Sequence, residues 1–228
     1  MNVAIIPARI GSKRIPKKNI KLFLGKHMIA YPIETALSSK NIEKVIVSTD
    51  SEEIANIAIE FGAKVPFIRP KELSDDFTPT VPVIAHAIRE LIDLDWDIDN
   101  VCCIYPCTPL LKSKDLDLLH EKMVKGKYPF AYPVVSYSHP IQRALRMRSD
   151  GKMSFFYPKH ELTRTQDLEE SYHDTGQFYW GSKIAWLQNK KMHTDGLGVK
   201  ISKWGAVDID NVDDWKFAEL LKKTTKNE

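Results

Sequence analysis

Val3-Ala4-Ile5-Ile6-Pro7 runs directly into Ala8-Arg9-Ile10-Gly11-Ser12-Lys13-Arg14-Ile15-Pro16-Lys17-Lys18-Asn19. A short unbroken apolar run has the pattern of a strand buried on both faces. The basic, glycine-interrupted stretch at its C-terminal end falls where open α/β sheets bind ligands. Val45-Ile46-Val47-Ser48 and Val101-Cys102-Cys103-Ile104-Tyr105 repeat the buried-strand pattern. Between the strands, Ile29, Ile33, Ala36 and Leu37 share one face at helical spacing. So do Ile54, Ile57, Ala58 and Phe61, and then Ile84, Ala87, Ile88 and Leu91. Strand and helix in alternation predict an α/β fold of three layers, a mostly parallel sheet flanked by helices. Asp50, with Glu53 three residues on, reads as a helix-capping box.

The second half is less regular. Residues 130–135 read as a further strand, and residues 178–180 as another. A short helix is expected near 182–187, a strand at 206–210, and a final helix with Phe217, Leu220 and Leu221 inward. Residues 136–174 are rich in Arg, His, Tyr and Pro and read as a hairpin insertion, a lid or a dimer contact. Without repeat or linker, one domain over 1–228 is the economical expectation.

Composition narrows the function classes. The chain has 228 residues, 43% hydrophobic and 28% charged, with a formal charge of +3, which fits an ordinary globular protein and argues against nucleic acid as a partner. Cys102, Cys103 and Cys107 lie in one apolar stretch, without the four-ligand spacing zinc needs, so reduced buried thiols are expected. No basic region precedes the first apolar run and no stretch approaches a membrane span, so a cytoplasmic location without membrane association is expected.

Three patches carry candidate chemistry. In the first loop, Gly11 and Ser12 allow a tight turn with exposed backbone N–H groups, and Arg9, Lys13 and Lys18 add positive charge suited to a triphosphate. The spacing is neither Gly-x-Gly-x-x-Gly nor a Walker motif. A solvated basic loop is the alternative, but the position after a buried strand favours a phosphate site. Arg69-Pro70-Lys71-Glu72-Leu73-Ser74-Asp75-Asp76-Phe77-Thr78-Pro79-Thr80 should follow a third strand, and by composition is a surface loop with Thr80 capping the next helix. Near the C-terminus, Asp208-Ile209-Asp210 in an extended segment puts two carboxylates on one face, a donor pair suited to Mg²⁺. Turn chemistry is the competing reading, and Asp213 or Asp214 is expected to serve the start of the last helix, with capping assigned to Asp213.

Ile5-Ile6-Pro7-Ala8-Arg9-x-Gly11-Ser12-Lys13-x4-Lys18-Asn19 resembles the signature of the CMP-sialic acid synthetases, the acylneuraminate cytidylyltransferases. The resemblance implies a Rossmann-like nucleotidyltransferase fold, CTP as nucleotide, and Mg²⁺ (or Mn²⁺) at Asp208 and Asp210. Arg9, Gly11, Ser12, Lys13 and Lys18 would hold phosphates, with Arg9, Lys13 and Lys18 serving catalysis. Ala8 and Asn19 would lie near the nucleotide, joined by Arg69, Asp76 and Thr78 from the second patch. Where the family usually has two glycines, this sequence has Ile10 before Gly11.

The family's sugar is an acidic nine-carbon nonulosonic acid, and Arg matches its carboxylate in geometry. Arg143 beside Gln142, and Arg164, are the candidates, with His173, Asp174, Gln177 and Tyr179 in a segment resembling the family's sugar border. Tyr105, Cys107 and Thr108 occupy its sugar-contacting segment, and the departures at Tyr105, Cys107 and Leu111 shift the implied sugar from N-acetylneuraminic acid toward pseudaminic acid, with legionaminic acid as another member. The family also implies a homodimer through residues 136–174. Rival classes are a metal-dependent nucleotide-sugar glycosyltransferase, whose Asp-x-Asp normally lies mid-domain, and a non-catalytic CTP-binding protein.

Overall fold

The computed structural model describes residues 1–225. β1 (Asn2–Pro7) leads through the basic loop to a small hairpin, β2 (Leu22–Phe23) and β3 (Lys26–His27). Then follow α1 (Ala30–Leu37), β4 (Lys44–Ser48), α2 (Glu52–Glu60), α3 (Thr80–Asp93), β5 (Asn100–Ile104), α4 (Ser113–Gly126) and β6 (Phe130–Ser136). An exposed hairpin of β7 (Leu145–Met147) and β8 (Met153–Phe155) precedes β9 (Tyr172–Asp174), which returns to pair with β6. β10 (Phe178–Ser182), α5 (Lys183–Leu187), α6 (Met192–Asp195), β11 (Leu197–Lys200) and α7 (Val212–Thr225) complete the chain.

The main sheet has seven strands in the order β11-β6-β10-β5-β1-β4, with β9 alongside β6. β1 pairs in parallel with β4 and β5, setting Ile5 opposite Ile46 and Cys103. β10 runs antiparallel between β5 and β6, so the sheet is mixed at its centre. Period-2 alternation divides the buried strands between two cores. Ala4, Ile6, Cys102, Ile104 and Trp180 pack under α1, α2 and α4. Val3, Ile5, Cys103 and Tyr179 pack under α3 and α5. Each buried indole finds an acceptor: Trp180 Nε1 donates to the Leu116 carbonyl at 2.9 Å and Trp186 Nε1 to that of Val101 at 3.2 Å.

A third cluster joins Ile15, Phe23, Met28, Tyr31, Ile209, Trp215 and Ala218. It fastens α7 over the first loop. Here the expectation for the last helix holds for Leu221 and fails for Phe217 and Leu220, which are exposed, while Trp215 and Ala218 face inward beside Leu221. Leu37 of α1 is likewise exposed.

Three capping expectations and two strands also change. Ser51, not Asp50, caps α2 through its hydroxyl. Thr80 is the first residue of α3, and its hydroxyl meets the Tyr105 phenol at 2.7 Å instead of capping. Asn211 Oδ1 accepts from the N–H groups of Asp213 and Asp214, and Asp214 Oδ2 accepts from Asn211 N–H. That reciprocal pair starts α7, and Asp213 lies 3.7 Å from Lys216. Before Arg69 only Lys64 bridges to Ile46, so no third strand forms there. Residues 206–210 are extended but join no sheet. Among the described residues, no helix is long and apolar enough to cross a membrane.

Candidate active site: a cleft at the C-terminal ends of the central strands

β1, β4 and β5 end together, and the loops leaving them wall a cleft of about 550 Å³. The first loop contributes Arg9, Gly11, Ser12, Lys13, Arg14, Lys18 and Asn19. Ala8 is fully buried, and its N–H donates to the Ser48 carbonyl at 2.9 Å, so it anchors the loop from below. Asn19 spends its amide within the protein, donating to the Arg9 carbonyl at 2.8 Å and accepting from the Cys107 thiol at 3.3 Å. Gly11 does not have a left-handed φ, so no conformational need for glycine exists there. A Cβ at this position would meet nothing within 4 Å. Open room above the loop is what Gly11 borders.

The cations are held by the protein's own acceptors. Arg9 Nη1 donates to the Asp75 carbonyl and lies 2.6 Å from Asp76 Oδ1. Lys13 pairs with the other oxygen of Asp76. Lys18 Nζ donates to the Ile209 carbonyl at 2.7 Å, and Arg14 lies 2.7 Å from Asp210. Asp76 is therefore the counter-ion of Arg9 and Lys13, and Lys13 and Arg9 hold its carboxyl below the usual range. Thr78 binds the Asp75 carboxylate through both its N–H and its hydroxyl, which shapes the 75–78 turn. Arg69 is buried, with Nε on the Ser74 hydroxyl at 3.0 Å. Burial pushes its pKa down and the charge of Asp50 opposes that shift.

Across the cleft stand Tyr105, Cys107, Gly176 and Asp208. Burial pushes the Tyr105 phenol and the Cys107 thiol each up to about 12. Asp208 is raised by partial enclosure and then by the charge of Asp210. Ile209 is buried between them, so the two carboxylates sit on the solvent side as the alternation requires. Asp210 turns toward Arg14, whereas Asp208 lines the cleft.

The sequence pattern of a family described as "Cytidylyltransferase" matches residues 3–208, from the first strand to the first of these aspartates. The chain belongs to the cytidylyltransferase family. This cytidylyltransferase is 41% identical over 223 residues to the pseudaminic acid cytidylyltransferase of Campylobacter jejuni, covering 97% of this chain and 96% of that protein. It is 32% identical over 230 residues to the CMP-N,N'-diacetyllegionaminic acid synthase of Legionella pneumophila, covering 96% and 95%. Among solved structures, a CMP:2-keto-3-deoxy-manno-octonic acid synthetase complexed with CTP superimposes with a TM-score of 0.73 at 16% identity, over 98% of this chain and 99% of that one, a likeness of fold.

A second recess of about 340 Å³ adjoins the cytidylyltransferase's cleft, sharing Gly176 and Asp208 and adding His173, Asp174, Thr175 and Ala206. Asp174 is a hub. Its Oδ2 accepts from the Tyr179 phenol at 2.5 Å and lies 2.9 Å from His193 Nε2, while Oδ1 accepts from Gly176 N–H at 2.8 Å. Tyr179 packs edge-on against Tyr105.

Other sugar-site candidates lie elsewhere in the isolated chain. Thr108 is buried and donates to the Tyr105 carbonyl, and Gln177 is buried with Nε2 on the Gly205 carbonyl at 2.6 Å. Both support the walls from behind. Gln142, Arg143 and Arg164 belong to the projecting insertion and line neither recess. Gln142 donates to the Glu169 carbonyl and Arg164 pairs with Asp167. The sequence pattern gave Asp50 a capping role and gave Arg14 and His193 none. Asp50 stands just past the end of a buried strand, the signal that should have outweighed its capping pattern.

Proposed function

We propose that this cytidylyltransferase transfers CMP from CTP to the anomeric hydroxyl of pseudaminic acid, releasing pyrophosphate. The observation that carries the sugar assignment is the 41% identity to a pseudaminic acid cytidylyltransferase over nearly the full length of both chains. The cleft chemistry agrees with nucleotidyl transfer: cationic side chains on one wall, a carboxylate on the other, and room for a nucleotide between.

In this reading the anomeric oxygen forms a bond to the α-phosphorus as the bond from that phosphorus to the bridging oxygen breaks. Pyrophosphate leaves with the electron pair, and the hydroxyl proton passes to solvent. Arg9, Lys13 and Lys18 exchange their internal acceptors for phosphate oxygens and offset the charge on the leaving group. Arg69 fixes the nucleotide, and Tyr105, Asp174 and Tyr179 shape the sugar side. Positioning supplies much of the rate, because a held pair of reactants avoids the entropy of encounter.

Asp208 and Asp210 fit a magnesium ion by donor chemistry, since both are hard carboxylates on one side of a buried Ile209 and the neighbouring Cys107 thiol is kept protonated. They would hold Mg²⁺, or Mn²⁺, with phosphate oxygens and water completing the shell. The ion would supply charge neutralisation at the triphosphate. The exposed Leu145, Met147, Met153, Phe156 and Leu162 of the insertion support a homodimer through that arm. We place the enzyme in the cytoplasm, and among the described residues no helix is long and apolar enough to cross a membrane.

Release of pyrophosphate from CTP only when the sugar is added tests the reaction class. A glycosyltransferase or a non-catalytic CTP-binding protein would release none.

A further inference from the structure

The segment leaving β4 fixes three points of the cleft wall at once. Ser48 accepts from Ala8 N–H at 2.9 Å, Thr49 accepts from Arg69 N–H at 2.8 Å, and Asp50 Oδ1 accepts from Ile10 N–H at 3.0 Å. The first two use backbone carbonyls that any residue would supply. The third depends on the Asp50 side chain. Asp50 is also the negative charge acting on the buried Arg69 guanidinium, which burial and the Arg9 charge otherwise disfavour.

Ile10 marks where this sequence departs from the double glycine of its family. Its φ lies outside the left-handed region, and its side chain packs against the first core cluster. Its N–H is already committed to Asp50. Position 10 therefore needs no glycine here and offers no amide to a ligand. Among the described residues, the N–H groups of Gly11, Ser12 and Lys13 donate to no protein acceptor, and these residues line the cleft, where such amides are available to an anion.

We propose that Asp50 is a positioning residue for CTP binding: it staples Ile10 to the end of β4, so that the amides of residues 11–13 face the triphosphate. This rests on the reading of the first loop as the phosphate site. Asp50 acts through Ile10 and need not touch the nucleotide, so its effect belongs in KM for CTP rather than in turnover at saturation.

The test compares steady-state kinetics of Asp50→Ala, Asp50→Asn and Arg9→Ala with the unmodified protein. Losing a carboxylate acceptor from a partly buried N–H should raise KM for CTP about tenfold or more in Asp50→Ala, with kcat within about threefold. Asp50→Asn keeps the acceptor oxygen and should recover most of that loss. A KM in Asp50→Asn as high as in Asp50→Ala, or an unchanged KM in Asp50→Ala while Arg9→Ala is impaired, overturns the positioning role alone. An unchanged KM in Arg9→Ala overturns the phosphate-site reading and the proposal with it. Should Asp50→Ala fail to fold, amide exchange on the unmodified chain decides. The Ile10 amide should exchange slowly without CTP and gain no more protection on CTP addition than Ile5 and Ile6, while Ser12 and Lys13 gain. Fast exchange at Ile10 that slows on CTP addition contradicts the staple.

Discussion

Arg9 and Asp76 face each other across 2.6 Å, a guanidinium and a carboxylate in the cleft where a triphosphate is expected. Lys13 holds the second oxygen of the same carboxylate. Asp76 therefore occupies the cations that CTP would recruit under the proposed function, where nucleotide binding would exchange one set of ion pairs for another.

Replacing Asp76 with Asn should lower KM for CTP by a few-fold, since the pairs it forms are solvent-screened and weak. Isothermal titration with CTP checks the same direction without turnover. A raised KM would instead place Asp76 on the nucleotide.

For the acid pair, Asp210→Asn should abolish turnover far more than it weakens CTP binding, because the ion proposed there would offset charge at the reacting phosphate. Excess EDTA should do the same to the unmodified protein, with restoration by Mg²⁺. Unchanged turnover in Asp210→Asn with CTP, Mg²⁺ and sugar would remove the metal assignment.

Asp208 is raised by enclosure and by Asp210, so its ionised form is disfavoured in the folded protein. Stability is then lost as pH rises from the ordinary carboxylate range through the raised value, and stays lower above it. Asp208→Asn should melt about 1–2 °C higher than the unmodified protein at neutral pH without metal. The gap should close at pH values where the unmodified carboxyl is protonated. Equal melting at neutral pH would mean that Asp208 carries no such penalty.

Gly176 has φ of +63°, and an added Cβ would come 3.8 Å from Asp208 Oδ2. Space is adequate, so the strain is in the backbone, and Gly176→Ala should cost about 1 kcal/mol of stability. Its kcat should fall as well, because the turn it closes carries both Asp174 and the wall facing Asp208. A chemical denaturation series with kinetics on the same samples reads both effects.

The thiol of Cys107 is pushed up to about 12 by burial, and Cys102 and Cys103 are raised by burial too. At pH 7.5 the Cys107 thiolate fraction is on the order of one in ten thousand or less, so iodoacetamide should leave the native protein unlabelled and active. Rapid loss of activity protected by CTP would show a thiol more exposed than the cleft wall allows.

Much of the sheet was legible because its central strands are continuous apolar runs, and the loop after Val3–Pro7 announced its own place. β10 was legible as a strand but not as an antiparallel one, since direction is fixed by the path of the 136–174 insertion, which no local pattern records. α4 escaped because Lys114, Asp115, Asp117, Glu121 and Lys122 dilute a sparse apolar face of Leu116, Leu119 and Met123. The last helix was misread by its most apolar residues: Phe217 and Leu220 are exposed in the isolated chain, while Trp215 and Ala218 reach Phe23 and Ile15 near the first loop. Within the site, the first loop and Asp208 were found by residue type and position. Asp50 was lost because one side chain can cap a helix or hold a distant amide, and spacing does not tell which. Thr108 and Gln177 sit in the right segments but point into the protein, a distinction the pattern of residues does not carry.

The most direct test is kcat/KM for CTP-dependent pyrophosphate release with pseudaminic, legionaminic and N-acetylneuraminic acids in parallel, the product confirmed by mass as the CMP-sugar. A site built for one sugar's hydrogen-bonding groups should prefer pseudaminic acid by about a hundredfold or more over the other two. Equal or greater efficiency with N-acetylneuraminic or legionaminic acid would contradict the sugar assignment, and no CTP-dependent pyrophosphate with any of the three would contradict the reaction.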